Sequence, residues 1–341
     1  MPELYLNGAF AGQRVTGQQR YATEVSAELI RRHSGRLLRP PAPVRSRAAL
    51  SHLWAHTALP ALSLRAHLVS MTSRSPVAAR RHTLVVHDLF VLQHPEWYST
   101  RYVRTHAPVL SAQLRTAAGL VAVSEPVAQE LRRLYPHAPV AVAPNAPSEV
   151  FRQPSVGHLP AAVRTLLEAP GVEGFLFAVG SLDPRKNFGR LVEAYRSLAA
   201  PLRSAFPLVI AGGGSAVFAE AGVQAAPEVH WIGYVDDPEL AALYAEATAV
   251  VVPSLDEGFG LPLVEALTAG GRLAVSDIPP FRWVAGDSAR YFRPDDVGDI
   301  AHALRTVVHA PGRRGGDHDL ATRFTWEGSA DVIADFARGH R

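Results

Sequence analysis

One segment, Pro253-Ser254-Leu255-Asp256-Glu257-Gly258-Phe259-Gly260-Leu261-Pro262-Leu263-Val264-Glu265, sets two carboxylates on either side of two glycines. Gly258 and Gly260 allow another group to approach the backbone closely. Pro262 suits the first turn of a helix, whose peptide N–H groups attract an anion. Glu257 falls in the loop, in reach of hydroxyl-bearing ligands, and Glu265 falls about a turn into the helix, where a carboxylate can accept hydrogen bonds from ribose hydroxyls. Taken singly, Glu257 is also explained as a solvated loop residue and Glu265 as an acid favoured near a helix N-terminus. The strand before them and the glycines between them are harder to explain as packing. A second segment, Phe175-Leu176-Phe177-Ala178-Val179-Gly180-Ser181-Leu182-Asp183-Pro184-Arg185-Lys186-Asn187, ends an apolar strand in a turn that presents two cations. Cations fixed in advance stabilise negative charge that grows on a leaving oxygen, as when a sugar–diphosphate bond breaks. The basic residues are 33 arginines and one lysine, and that lysine is Lys186.

These residues need strand ends and helix starts to hold them. In the C-terminal half, β-branched runs at 175–179, 208–210, 229–232, 249–252 and 273–275 alternate with helical periodicity at 187–198, 238–245 and 262–269. That is the pattern of a parallel sheet flanked by helices. Asp237 before Pro238 reads as an N-cap with proline at the first helical position, and Gly270-Gly271 as a helix stop. The N-terminal half repeats the logic, with strands at 4–6, 83–86 and 119–123 and helices at 20–32, 101–118 and 126–134. Residues 39–81, rich in Arg, Ala, Pro and Ser, show no clear period. A proline-rich passage from Ala143 to Pro160 separates the halves and reads as a linker.

The two segments resemble those of the retaining GT-B glycosyltransferases of family 4, the group 1 transferases that include bacterial mannosyltransferases. The likeness is strongest from Gly180 to Tyr291 and extends to Arg20-Tyr21, Val86-His87-Asp88-Leu89, Ala122-Val123-Ser124-Glu125 and Ala143-Pro144-Asn145. The resemblance implies an α/β GT-B fold of two Rossmann-like, doubly wound parallel-sheet domains facing a central cleft. The N-terminal acceptor domain spans 1–155, the C-terminal donor domain 165–322, and a last helix over about 325–341 packs back on the first. It also implies a metal-independent hexosyl transfer with retention, from a nucleotide-diphosphate sugar with GDP-mannose favoured, and no prosthetic group. By position, Arg185 and Lys186 hold the diphosphate and Glu265 the ribose, while Glu257 and Gly258 with the Phe259, Gly260 and Leu261 backbone hold the transferred sugar. Ser181 stands on the donor side where many similar enzymes carry arginine. His87 faces the sugar from the other domain, so that His87, Glu257, Arg185 and Lys186 form the catalytic group. Arg20, Asp88, Ser124 and Glu125 are the acceptor-side candidates. Two further departures are Gly17-Gln18-Gln19-Arg20, where similar enzymes often carry a glycine-rich loop, and Ala146 after Asn145, where glycine is usual.

The net charge of +3 hides an asymmetry: residues 1–150 carry 17 arginines against 8 acids, and residues 151–341 carry 17 basic against 23 acidic residues. A basic half is drawn to an anionic surface, which fits a glycan or lipid-linked acceptor and peripheral contact with a membrane. Its arginines lack aromatic interleaving, which argues against nucleic acid. The absence of cysteine excludes disulfides, thiolate metal sites and a cysteine nucleophile. No basic segment followed by an apolar run opens the sequence, and no stretch of about 18 apolar residues occurs. The expectation is a cytoplasmic protein at the inner membrane face. Competing readings are a glycoside hydrolase, which shares the paired carboxylates but needs no diphosphate site, a sugar-nucleotide epimerase of similar form, and a non-catalytic sugar-nucleotide or glycan-binding protein.

Overall fold

The computed structural model describes residues 3–12, 17–45, 47–213, 226–310 and 322–339. The chain divides into two compact units, residues 1–145 with 324–341, and residues 146–323. A six-stranded parallel sheet lies at the centre of each.

In the first unit, β1 (Leu4–Asn7), β2 (Arg36–Leu38), β3 (His67–Ser70), β4 (His82–Val86), β5 (Gly119–Ala122) and β6 (Val140–Val142) lie in the order β2-β1-β3-β4-β5-β6. Parallel neighbours need crossovers, so helices cover the faces and bury the inner strands on both sides. Leu84, Val86, Leu120 and Ala122 pack against Leu114, Val127 and Leu131 of the helices Thr100–Thr116 and Glu125–Leu134. The stretch 39–81, without a period in the sequence, folds as three short helices, Ala42–Arg45, Ala48–His56 and Ala58–Leu62, followed by β3. The last helix, Trp326–Gly339, belongs to this unit, and Thr325 Oγ1 accepts the Gly328 N–H at 3.1 Å to open it.

In the second unit, β7 (Leu176–Val179), β8 (Leu208–Ala211), β9 (Val229–Gly233), β10 (Ala249–Val252), β11 (Leu273–Ser276) and β12 (Ala289–Phe292) lie in the order β12-β11-β10-β7-β8-β9. The strand order reverses between β7 and β10, which are hydrogen-bonded neighbours with Ala249 opposite Leu176. In a doubly wound sheet, ligands bind outside the carboxyl ends of the strands at such a reversal. Both segments singled out in the sequence start there, one after β7 and the other after β10.

Two local readings change. The helix Asp237–Glu246 is capped by Asp236, not Asp237: Asp236 Oδ1 accepts the Glu239 N–H at 2.9 Å, and Glu239 Oε2 accepts the Asp236 N–H at 3.0 Å. This reciprocal pair satisfies two end donors, which Asp237 at the first helical position cannot do. The proline-rich passage is also less loose than a tether. The chain changes unit between Asn145 and Ala146, and Phe151 is fully buried beside Tyr244, with ring centroids 5.9 Å apart.

Candidate active site

The turn after β7 is a short 3-10 segment, Pro184–Lys186, started by Asp183, whose Oδ1 accepts the Arg185 N–H at 3.0 Å. Asn187 follows in the left-handed region at φ 57° and is buried. Its side-chain amide donates to the Pro253 carbonyl at 3.0 Å and the Pro294 carbonyl at 2.7 Å, fastening the turn to the ends of β10 and β12. The backbone adds a bond from Leu255 N to the Arg185 carbonyl at 2.8 Å.

The side chains so placed form one cluster. Lys186 Nζ lies 2.5 Å from Glu257 Oε1 and Arg185 Nη1 lies 2.6 Å from Glu257 Oε2, while Arg185 Nη1 also donates to the Asp256 carbonyl at 3.1 Å. Ser254 Oγ donates to Glu257 Oε1 at 2.9 Å. The three charged side chains retain only 14%, 12% and 11% exposure for Arg185, Lys186 and Glu257, so water screens them little. Burial pushes the Glu257 carboxyl up, but the Lys186 ammonium, the Arg185 guanidinium and the hydrogen bonds from Lys186 and Ser254 outweigh it and hold the pKa at about 2. Both cations meet on Glu257, and Arg185 Nη2 also lies 3.9 Å from the more exposed Asp183 Oδ2.

The helix after β10, Leu261–Thr268, starts at Gly260 with φ 102°. A Cβ there would come within 2.9 Å of the Phe281 ring. Pro262 supplies no N–H and the Leu263 N–H goes to the Gly260 carbonyl at 2.9 Å. The first turn therefore offers an anion fewer amides than an ordinary helix start. Glu265, one residue into the second turn, is 4% exposed, and its Oε2 accepts from the Tyr244 hydroxyl at 3.2 Å.

In the first unit, His87 follows β4. Its Nε2 lies 2.9 Å from the Met71 carbonyl oxygen, which can only accept, so that nitrogen carries the proton. Burial pushes the His87 pKa down to about 4 against the opposing pull of that carbonyl. The ring is therefore neutral near pH 7, with its lone pair on Nδ1. The Tyr21 ring meets it edge-on, with centroids 5.1 Å apart.

Residues 164–323 match the family described as Glycosyl transferases group 1. The chain is 30% identical over 270 residues to the O-antigen chain mannosyltransferase B of Escherichia coli, covering 74% of this chain and 68% of that one. The chain belongs to the group 1 glycosyltransferases. It is also 29% identical over 264 residues to the serotype-specific mannosyltransferase WbdA of Escherichia coli; the match covers 72% of this chain but spans only about a third of that protein, 32%. A sucrose-phosphate synthase from Thermosynechococcus elongatus shares the fold with a TM-score of 0.72 at 17% identity, over 99% of both chains. The fold of this group 1 transferase is GT-B.

Within that fold, Arg185, Lys186 and Glu257 meet in one cluster, with Gly258, Phe259 and Gly260 next along the loop and Ser181 in the turn after β7. Of the acceptor-side candidates, Asp88 lines a cavity of about 880 Å³ within the first unit, as does His87. Arg20 is half-buried on the helix Gly17–His33 and is not among the residues lining that cavity. Ser124 is fully buried, and its hydroxyl caps the helix Glu125–Leu134 by accepting the Val127 N–H at 3.3 Å. Glu125 pairs with Arg132 at 2.6 Å. Ser124 and Glu125 thus have local duties, because a serine directly before a helix is drawn to its open amides. Sequence reading missed the other cavity walls, including Arg74, His52 and Tyr102. They come from three separate stretches with no shared spacing, two of them in or near the aperiodic 39–81 region.

Proposed function

We propose that this group 1 transferase moves mannose from GDP-mannose to a growing surface polysaccharide or its lipid-linked precursor, with retention of configuration and without a metal ion. The single observation that carries the reading is the Arg185–Glu257–Lys186 cluster at the strand-order reversal of the second unit. On this reading, the cations that now share Glu257 take up the diphosphate, and Glu257 turns to the hydroxyls of the sugar. The acceptor hydroxyl attacks the anomeric carbon on the face from which the diphosphate departs. The breaking C–O bond leaves its electron pair on the phosphate oxygen, and that oxygen receives the acceptor proton. Arg185 and Lys186 stabilise the growing charge, which is the part usually given to a divalent ion. Glu265 binds the ribose. His87, neutral at working pH and too weakly basic to hold a proton, positions a sugar hydroxyl. The names of the relatives favour mannose and a surface polysaccharide. The surplus of arginine over acid in residues 1–150 supports contact with the inner, anionic face of a membrane. Among the described residues no helix is long and apolar enough to cross one.

The test is a thermal-shift series with GDP-mannose, UDP-glucose and UDP-N-acetylglucosamine in the presence of EDTA, followed by NMR of the product's anomeric signal. GDP-mannose is expected to raise Tm most, because a ligand that prefers the folded state stabilises it. Lys186→Ala is expected to lower kcat roughly a hundredfold, equivalent to losing ~3 kcal/mol from one preorganised charge-stabilising donor. Unchanged turnover in Lys186→Ala, or free sugar released without any nucleotide dependence, would reject the reading.

A further inference from the structure

The cavity in the first unit has a composition that the donor site does not explain. It opens at the carboxyl ends of β3 and β4, beside the reversal of strand order between β1 and β3, where an open α/β sheet binds ligands. One wall is a face of the helix Thr100–Thr116 and the residues before it. Tyr98 stacks on Tyr102 at 5.2 Å, and Tyr102 stacks on His106 at 3.8 Å, with the successive planes 13° and 9° apart. The facing wall carries His52 and His56 of the helix Ala48–His56, and the turn after β3 carries Arg74.

Arg74 is held from behind. Asn7 Nδ2 donates to the Arg74 carbonyl at 2.7 Å, and Gln113 Nε2 donates to the Ser75 carbonyl at 2.6 Å. The side chain itself is half-buried, and among the described residues no carboxylate pairs with it. His106 Nδ1 lies 3.0 Å from the Tyr102 carbonyl and 2.8 Å from the Thr105 hydroxyl, which leaves Nε2 for a ligand. Burial, and then the nearby Arg74, His56 and His106, hold His52 below the ordinary histidine value. Six cationic or protonatable groups, His52, His56, Arg74, His87, Arg101 and His106, therefore crowd one space, and among the described residues Asp88 is the only acid lining it. A partly desolvated, unpaired guanidinium among imidazoles favours an anion.

We propose that this cavity binds the acceptor as a saccharide bearing an oxyanion, a phosphate monoester or a carboxylate, with Arg74, His52, His56 and His106 on the anion and the Tyr98–Tyr102–His106 stack walling the sugar. The proposal rests on the transferase reading for the word acceptor, but the binding it describes needs no nucleotide. Calorimetry on the full chain without nucleotide, using mannose, mannose 6-phosphate, glucuronate and inorganic phosphate, measures it directly. At least one anionic sugar should bind about tenfold or more tightly than mannose, the scale of one charge-assisted hydrogen bond. Whether mannose 6-phosphate or glucuronate binds better tells phosphate from carboxylate. Arg74→Ala should erase the advantage over mannose while leaving Tm and the nucleotide response unchanged. Tyr102→Ala should weaken the anionic sugar and leave inorganic phosphate as it was.

Equal affinity for mannose and both charged forms, indifference to Arg74→Ala, or inorganic phosphate binding as tightly as mannose 6-phosphate would each overturn the proposal. Loss of every nucleotide response with anionic-sugar binding retained would sink the donor reading alone.

Discussion

Glu257 touches both cations of its unit, and this shared carboxylate sets how the site responds to acid. Its pKa in the folded chain is about 2, below the ordinary carboxylate value near 4.5. A depressed carboxyl contributes stability that is fully present above its unfolded pKa and is lost as pH falls toward the folded one. The window is therefore about pH 4.5 down to about pH 2, and the amount at stake is roughly 3 kcal/mol at 1.36 kcal/mol per pKa unit. Glu257→Gln removes this dependence and leaves two buried cations facing each other, which should itself cost about 3 kcal/mol near pH 7. Urea unfolding at several pH values, followed by hydrogen exchange in the turn after β7, checks both parts. The idea fails should the variant match the parent in urea midpoint at neutral pH. The residue types at this site were legible in the sequence because a single lysine among 33 arginines sat at the end of an apolar strand. That Glu257 would bind the cations before any ligand arrives was not legible, since β7 and β10 become neighbours only when the sheet forms.

Strands and turns explain why that cluster is held still. At the end of β8, Gly212 has φ 93°, and a Cβ on it would lie 2.1 Å from the Gly180 carbonyl oxygen. At Gly213 a Cβ would lie 2.2 Å from Leu182 Cγ. The two glycines thus let the end of β8 press against the turn that leads to Arg185 and Lys186. Gly212→Ala must push that turn away or strain the backbone, at about 1–3 kcal/mol, and the cations move with it. The expected result is a lower Tm together with a weakened response to GDP-mannose; a lower Tm with full nucleotide response would show that the turn does not position the cations. Visibility in the sequence followed the same physics of burial. The central strands β8, β10 and β11 are buried throughout, β7 is buried except at Val179, and all four read as apolar runs. Of the four edge strands, all partly exposed, β2, β6 and β12 have only three or four residues and carried no such run, whereas the five-residue β9 did. β3 is central yet was missed, because its four residues begin with a histidine and end with a serine inside an aperiodic stretch.

At the scale of the whole chain, the notable feature is that the last helix returns to the first unit after the second is complete. Ser329 Oγ donates to the Pro144 carbonyl at 2.6 Å, and Arg32 and His33 both reach Asp331, at 2.6 and 2.7 Å. The Tyr21 hydroxyl donates to the Ala143 carbonyl at 3.0 Å, and the Tyr21 ring meets Trp326 edge-on at 5.8 Å. Phe336 covers Gly119 of β5 so closely that a Cβ there would fall 2.5 Å from its ring. Phe324, Trp326 and Ile333 are at most 9% exposed. Burying three such side chains stabilises by roughly 5–9 kcal/mol, which is comparable with the whole stability of a typical domain. Removing residues 324–341 should therefore unfold the first unit while the second, with its own sheet and core, keeps its structure and its nucleotide response. Hydrogen exchange read by peptide distinguishes the outcomes, because protection should vanish in β1 to β6 and persist in β7 to β12. Simultaneous loss of protection in both sheets would instead mean that the two units fold as one cooperative body, and the returning helix would then be a fastening of the whole chain and not of the first unit alone.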